Sequence, residues 1–307
     1  MAPVVTLEGR KLKLTNLDKP LYPEGGFTKG QVIDYYRRVS EYMLPHLKDR
    51  PVTLKRFPNG VAGESFYEKQ CPSHRPEWVE TSAPGKLSKN YCIINDLASL
   101  VWIANLASIE VHTLLATQYH AGRPTMIVFD LDPGAPATLL DCLEVSLIMR
   151  EMLRHMGLQC LPKTSGGKGL HFYLPLNTAA TYEQTRYFAK AMAQVMEKHY
   201  PERVVAKMSK KLRPGKVFVD WSQNVRHKTT VCAYSLRAQQ SPTVSMPVTW
   251  RMVEDAVKSK DAAELVFDPV RALRQVTKQG DALAAVLTLK QSLPPGAAGR
   301  RADDIEV

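Results

Sequence analysis

No apolar run in this 307-residue chain approaches the roughly 20 residues that a membrane-spanning helix needs, and the N-terminus lacks the apolar core of a secretory signal. A cytoplasmic protein with no membrane partner is the expectation. The five cysteines (Cys71, Cys92, Cys142, Cys160 and Cys232) are scattered and contain no Cys-x-x-Cys. That argues against a disulfide framework and against a sulfur-rich zinc site. Cys71 and His74 have ligand-like spacing but no second pair beside them, so a chance surface pairing is expected there. Two familiar phosphate signatures, Gly-x-x-x-x-Gly-Lys-Ser/Thr and Gly-x-Gly-x-x-Gly, are also missing. No internal repeat is visible. Acid is scarce in one place above all. Between Arg203 and Lys228 eight lysines and arginines face a single carboxylate, Asp220.

What is present is basic. The formal net charge is +11 and the sequence pI about 9.4, a balance that favours polyanions such as nucleic acid, nucleotides or anionic lipid. With 44% apolar and 23% charged residues the chain is ordinary globular material, long enough for one large or two modest domains.

The organising stretch is Met126-Ile127-Val128-Phe129-Asp130-Leu131-Asp132-Pro133-Gly134. An apolar run, two carboxylates one residue apart and a Pro-Gly stop predict a buried strand ending in a turn. Alternation puts Asp130 and Asp132 on one face, with Cα atoms roughly 7 Å apart. Like charges that close repel unless a cation lies between them, and hard oxygens suit Mg²⁺ or Mn²⁺. An acidic loop at a strand end is the other reading.

In chain order, residues 1–27 open with an edge strand or hairpin, and Thr28 caps a helix to about Leu47, with Val32, Tyr35, Tyr36, Val39 and Met43 on its buried stripe. Lys19 and Lys29 bracket the loop before that helix, where lysines can make a phosphate pocket. Residues 52–57 are strand-like and end on Lys55 and Arg56. Phe66 and Tyr67 follow among further bases, an interleaving that suits base stacking beside phosphate contacts. A helix over 96–109 leads into a strand with His112 near its end. After the aspartate strand come a helix over about 138–155 and the loop Ser165-Gly166-Gly167-Lys168-Gly169-Leu170-His171, whose glycines let backbone N–H groups approach an anion, or simply make a hairpin. A helix follows over about 181–199, and then a strand, Val217-Phe218-Val219-Asp220. Gln223, Arg226 and Arg237 lie beyond it. Residues 249–289 read as mostly helical, and the tail 293–307 as a flexible linker.

Three carboxylates on two strand ends, a Gly-rich Ser/Lys/His loop and excess base together suit phosphoryl transfer, with metals activating one oxygen and stabilising another. Competing readings are weaker. Asp-x-Asp also opens haloacid-dehalogenase-type phosphatases, but there the motif starts the domain and continues differently. Lys207-Met208-Ser209-Lys210 matches a loop of class I aminoacyl-tRNA synthetases, without the HIGH-like partner motif.

The ordered set Phe-Asp-Leu-Asp-Pro, Thr-Ser-Gly-Gly-Lys-Gly-Leu-His, Val-Phe-Val-Asp and Tyr-Ser-Leu-Arg-Ala resembles the primase-polymerase domain of bacterial DNA ligase D, in the archaeo-eukaryotic primase superfamily. The resemblance runs over about residues 5–290. It implies an α/β (α+β) fold: a primase-like catalytic core with mixed central β-structure, about 121–292, and an N-terminal α/β module, about 1–120. It also implies that Asp130, Asp132 and Asp220 are catalytic ligands of two Mn²⁺ (or Mg²⁺) ions. Lys55, His112, Ser165, Lys168, His171, Gln223 and Arg237 match positions that contact a nucleoside triphosphate. Asn16, Lys19 and Lys29 match a pocket for a DNA 5′-phosphate, Phe66 and Tyr67 a DNA-stacking pair, and Arg213 a loop that bridges ends and handles primers. The implied activity is addition of nucleotides, ribonucleotides preferred, to a primer 3′-hydroxyl at gaps and double-strand breaks in non-homologous end joining. Ku and a DNA ligase are the implied partners. A stand-alone primase and a non-catalytic end-bridging scaffold are the alternatives. The ligase motif Lys-x-Asp-Gly is absent from the sequence, so ligation would need another segment or protein.

Overall fold

The computed structural model describes residues 3–83, 85 and 88–295; most of the expected linker, 296–307, lies outside the described residues. The architecture is mixed α/β, as expected. Its helices are α1 (Lys29–Leu47), α2 (Leu97–Asn105), α3 (Leu139–His155), α4 (Tyr182–His199), α5 (Trp250–Ser259) and α6 (Pro269–Gln279). Contacts divide the chain into two units that interleave in sequence. Unit 1 is the chain up to Tyr119 with Thr229–Met246 and Phe267–Asp281; unit 2 is His120–Lys228, Pro247–Val266 and the chain from Ala282.

Unit 1 is built on an antiparallel sheet in the order Thr230–Val231, Ser108–Thr113, Pro51–Arg56, Tyr91–Ile93, Thr81–Ser82, with Phe66–Glu68 also paired to Pro51–Arg56. The expected opening hairpin is there, Val4–Leu7 against Arg10–Lys13. Helix α1 starts where the capping residues dictate. Thr28 Oγ1 accepts from Gln31 N, and the Gln31 side chain accepts from Thr28 N, satisfying two N–H groups that no helical carbonyl can reach. The predicted stripe of α1 is buried, and its tyrosines reach out of it: Tyr35 donates to the Tyr234 carbonyl and Tyr36 to that of Ile109. Those hydroxyls are thereby satisfied inside the core.

One expectation is corrected here. Cys71 is a buried disulfide partner of Cys92 rather than a surface residue, with Cα atoms 4.9 Å apart. The bond from Cys71 N to the Asn90 carbonyl draws the segment alongside the Tyr91–Ile93 strand. Spacing of 21 in the chain carries no trace of that proximity.

Unit 2 holds a five-stranded sheet ordered Leu161–Thr164, Leu170–Pro175, Met126–Pro133, Val217–Asp220, Val204–Val205. All its pairings are antiparallel except the last. The aspartate strand is central. Ile127, Val128, Phe129 and Leu131 are all fully buried, so both faces of the strand are covered, and α3 and α4 both pack on it. Phe129 stacks on Phe172 of the neighbouring strand with ring centroids 4.8 Å apart.

Candidate nucleotidyl-transfer site

The register of unit 2 sets the three carboxylates on two paired strands. Asp130 pairs directly across the ladder from Asp220, and Asp132 lies two residues along the same strand. Leu131 between them is fully buried, which leaves both aspartates on the opposite face. Carboxylates facing each other in a ladder repel. The residues after Asp220 supply compensating donors. Gln223 Nε2 lies 3.0 Å from Asp220 Oδ2 and 3.4 Å from Asp130 Oδ2, while Ser222 donates its backbone N–H and its hydroxyl to Asp220 Oδ1. Lys228 Nζ donates in turn to the Ser222 hydroxyl. Asn224, buried, clamps this short turn to the aspartate strand by exchanging bonds with the backbone N–H and carbonyl of Val128, at 2.9 and 2.8 Å.

On the other side, His171 pairs across from Asp130, with Nε2 3.1 Å from Asp130 Oδ1. Its Nδ1 faces Lys163 Nζ at 3.4 Å. An ammonium only donates, so Nδ1 accepts and a neutral His171 carries its proton on Nε2, pointed at Asp130. Lys163 is completely buried, its ammonium over the Tyr173 ring. Sequence reading passed over this lysine. The signal was a lysine embedded in a short apolar strand immediately before the Gly-rich loop.

That loop is a hairpin between the Leu161–Thr164 and Leu170–Pro175 strands. Ser165 Oγ accepts from Gly167 N and Gly169 N, both at 3.1 Å, and Lys168 is exposed at the tip. Gly169 is required by approach: a Cβ there would stand 2.1 Å from the Leu131 carbonyl oxygen, between the two aspartates. Gly134 plays the same part beyond them, since a Cβ would meet the Arg213 carbonyl at 2.0 Å. Arg213 itself folds back within the unit, its guanidinium 3.7 Å from the Phe218 ring centroid and bonded to the Met208 carbonyl. Beside it Met208, Lys210, Lys211 and Leu212 are exposed.

The donor set fits a hard divalent cation: carboxylate oxygens only, two of them facing across one ladder. Among the described residues no three His, Cys, Asp or Glu side chains already converge into a cage. The Gln223 amide takes that place between Asp130 and Asp220.

Lys55, His112 and Arg237, grouped by sequence with the residues above, belong to unit 1, where they meet on a side chain that sequence reading missed. Glu110 is 1% exposed. Its Oε1 lies 3.3 Å from Arg237 Nε and 3.8 Å from Lys55 Nζ and accepts from Ala238 N, while Oε2 lies 2.9 Å from His112 Nε2. Burial by itself would raise its pKa, but the His112 bond and the Arg237, His112 and Lys55 charges outweigh it and hold the carboxyl at about 2. Burial pushes the His112 pKa below its ordinary value. Glu110 was legible only as an acid inside a strand of apolar residues.

The expected 5′-phosphate residues lie in unit 1 as well. Asn16 adopts a left-handed backbone, φ 52°, and its carbonyl accepts from Lys19 N; Lys19 Nζ donates to Asn59. Lys29, buried at the start of α1, donates to Thr15 Oγ1. Its pKa is lowered to about 8, by burial first and then by the charges of Lys19 and Arg56. Phe66 and Tyr67 are exposed, opposite Arg56 and Lys55 in the ladder, and each ring carries the cation of its partner at 5.3 and 5.4 Å.

The profile of the LigD primase-polymerase domain matches residues 28–282. The multifunctional non-homologous end joining protein LigD of Mycolicibacterium smegmatis is 43% identical over 281 residues, covering 89% of this chain and 36% of that protein. The bifunctional LigD of Bacillus subtilis is 34% identical over 271 residues, 88% of this chain and 43% of the relative. The chain thus spans well under half the length of these relatives. Among solved structures, the polymerase domain of Mycobacterium tuberculosis ligase D in complex with DNA superposes with a TM-score of 0.83 at 38% identity, over 91% of this chain and 99% of that one.

Proposed function

Since this chain belongs to the family of LigD primase-polymerase domains, we propose that it is a DNA-repair nucleotidyltransferase that adds nucleotides, ribonucleotides preferred, to a primer 3′-hydroxyl at gaps and break ends. The observation that carries the reading is the ladder in which Asp130 faces Asp220, with Asp132 two residues on and His171 opposite. Asp130, Asp132 and Asp220 would hold two Mn²⁺ or Mg²⁺ ions, which supply Lewis-acid stabilisation of the attacking and leaving oxygens when bound. The chain's own groups do the rest. The Ser165–Gly169 backbone and Lys168 would bind phosphate oxygens, and His171, held by Lys163 with Nε2–H toward the site, would donate to the same anionic group. Gln223 would release its carboxylate bonds for the ribose or phosphate. In unit 1, Lys55, His112 and Arg237, positioned by Glu110, are proposed as nucleotide contacts in their own right. Asn16, Lys19 and Lys29 are the proposed 5′-phosphate pocket, and Phe66 and Tyr67 the stacking pair.

The substrate is a gap or double-strand break bearing a 5′-phosphate, and Ku and a DNA ligase are the proposed partners in end joining. The DNA-bound state of the similar solved domain supports DNA as a partner. The test is primer extension on a one-nucleotide gap with a downstream 5′-phosphate, given Mn²⁺ and each ribo- and deoxyribonucleotide. Ribonucleotide addition that disappears in Asp130→Ala/Asp132→Ala is expected. Equal inertness of wild type and variant, with gap binding retained by both, would replace the reading by a scaffold that only holds ends.

A further inference from the structure

Unit 2 carries a second basic and aromatic site that the nucleotidyl-transfer reading leaves unused. A cavity of about 520 Å³ is lined by Tyr182, Arg186, Tyr187 and Lys190 of α4 and by Val225 and Arg226. Spacings of four along α4 put Tyr182, Arg186 and Lys190 on one helix face. Arg186 and Lys190 both lie over the indole of Trp221, at 5.5 and 5.4 Å. Trp221 follows Asp220 directly, so only a three-residue turn separates this wall from the catalytic strand. Three cations and two phenols in the lining are opposed by one carboxylate, Glu183, and the Trp221 indole supports two of the cations from outside it.

Two buried polar atoms of the lining, the Tyr187 hydroxyl and Arg226 Nε, have no hydrogen-bond partner among the described residues. Buried donors left unpaired are costly, and a ligand that brings acceptors removes the cost. Guanidinium and ammonium groups suit phosphate oxygens, while tyrosine and tryptophan rings suit the π-face of a base. The volume is that of a small-ligand pocket, about one nucleotide unit.

We infer that this cavity captures one nucleotide of an unpaired nucleic-acid strand running past the catalytic carboxylates, with its phosphates on Arg186, Lys190 and Arg226 and its base against the tyrosines. The inference rests on the nucleotidyl-transfer reading for the identity of the strand. An unpaired strand accounts for the position beside Asp220 better than a free mononucleotide does, because the basic segment from Arg203 continues through Arg226 and Lys228 along the same stretch of chain.

The test is fluorescence anisotropy of a labelled oligothymidine with the whole chain, without divalent metal and at fixed salt. Arg186→Ala/Arg226→Gln is expected to weaken binding about tenfold, and Lys190→Ala, an exposed change that spares the packing, by a smaller factor in the same direction. The charge-matched control Arg251→Ala/Lys258→Ala, on α5, is expected to stay within twofold of wild type. Equal losses in control and cavity variants, or no loss in Lys190→Ala and the double variant alike, would overturn the inference. So would displacement of the oligonucleotide by millimolar AMP, which would make the cavity a mononucleotide site. Asp130→Ala/Asp132→Ala separates this from the parent reading. A chain that synthesises nothing yet loses oligothymidine in the cavity variants keeps the cavity and loses the polymerase; one that synthesises but binds equally well in every variant does the reverse.

Discussion

At the scale of single residues, the chemistry is set by buried charges. Lys29 is protonated below about pH 8 and neutral above it, and a phosphate binds the protonated form. With Lys29 in the proposed 5′-phosphate pocket, a preference for a 5′-phosphorylated over an unphosphorylated gap is expected, falling as pH rises through about 8, and Lys29→Gln is expected to flatten that dependence; dissociation constants for both DNAs at about pH 7 and pH 9 check it. Glu110 runs the other way. Its folded pKa, about 2, lies below the ordinary 4.5, so its stabilising contribution is complete above about pH 4.5 and is lost as pH falls toward 2. Glu110→Gln leaves Lys55 and Arg237 without their shared counter-charge and is expected to cost roughly 3 kcal/mol at pH 7, with the gap from wild type closing in acid. Urea unfolding at pH 7 and pH 3 reads both. Lys163 is expected to act through His171, whose Nδ1 it faces at 3.4 Å. Lys163→Met frees the imidazole to adopt the other tautomer, and synthesis is expected to fall about tenfold with a shifted pH profile while the fold's melting temperature drops only slightly.

At the scale of elements, the hairpin and the strands around the carboxylates are held at backbone contact. Gly169→Ala would drive a Cβ into the Leu131 carbonyl. A loss of about 1–3 kcal/mol is expected, together with a larger loss of synthesis than of DNA binding, since the displaced strand is the one bearing Asp130 and Asp132. Thermal melts and primer extension on the same preparation separate the two. The strand ends were legible because an apolar run closed by Asp-x-Asp or by Asp220 buries its hydrophobic part and must bring its carboxylates out at the edge of the core. Helix α1 was legible because Thr28 as an N-cap and the 3.6-residue stripe agree. The partners between elements were not. Glu110 has no neighbour in sequence that announces Arg237, 127 positions on, and Lys163 gains its role only when the hairpin lays it beside His171. Cys71 and Cys92 meet because the segment before Cys71 is drawn alongside an inner strand of the sheet, which no spacing rule describes. The order of the strands, with Asp130 flanked by His171 on one side and Asp220 on the other, likewise belongs to the register and not to any one stretch.

At the scale of the whole molecule, the interleaving of the units matters most. Unit 1 closes only when residues after 228 return: Thr230–Val231 completes its sheet edge, and Tyr234 and His46 both bond to Asp281. A chain ending at residue 228 keeps Asp130, Asp132 and Asp220, the proposed catalytic carboxylates, yet lacks those pieces. It is expected to show no cooperative thermal transition for unit 1 and to lose preference for a 5′-phosphate, which differential scanning calorimetry and a competition assay with phosphorylated DNA would show. No helix among the described residues is long and apolar enough to cross a membrane.

The facing of Asp130 and Asp220 has a bearing on quality control. Slip that ladder by one residue and Asp220 turns toward the layer now filled by Val219 and Leu131, where an unpaired carboxylate is intolerable. A misthreaded molecule would therefore be short-lived as well as inert. If the proposed role of these carboxylates holds, the fraction of a preparation able to turn over is expected to equal the fraction that is folded.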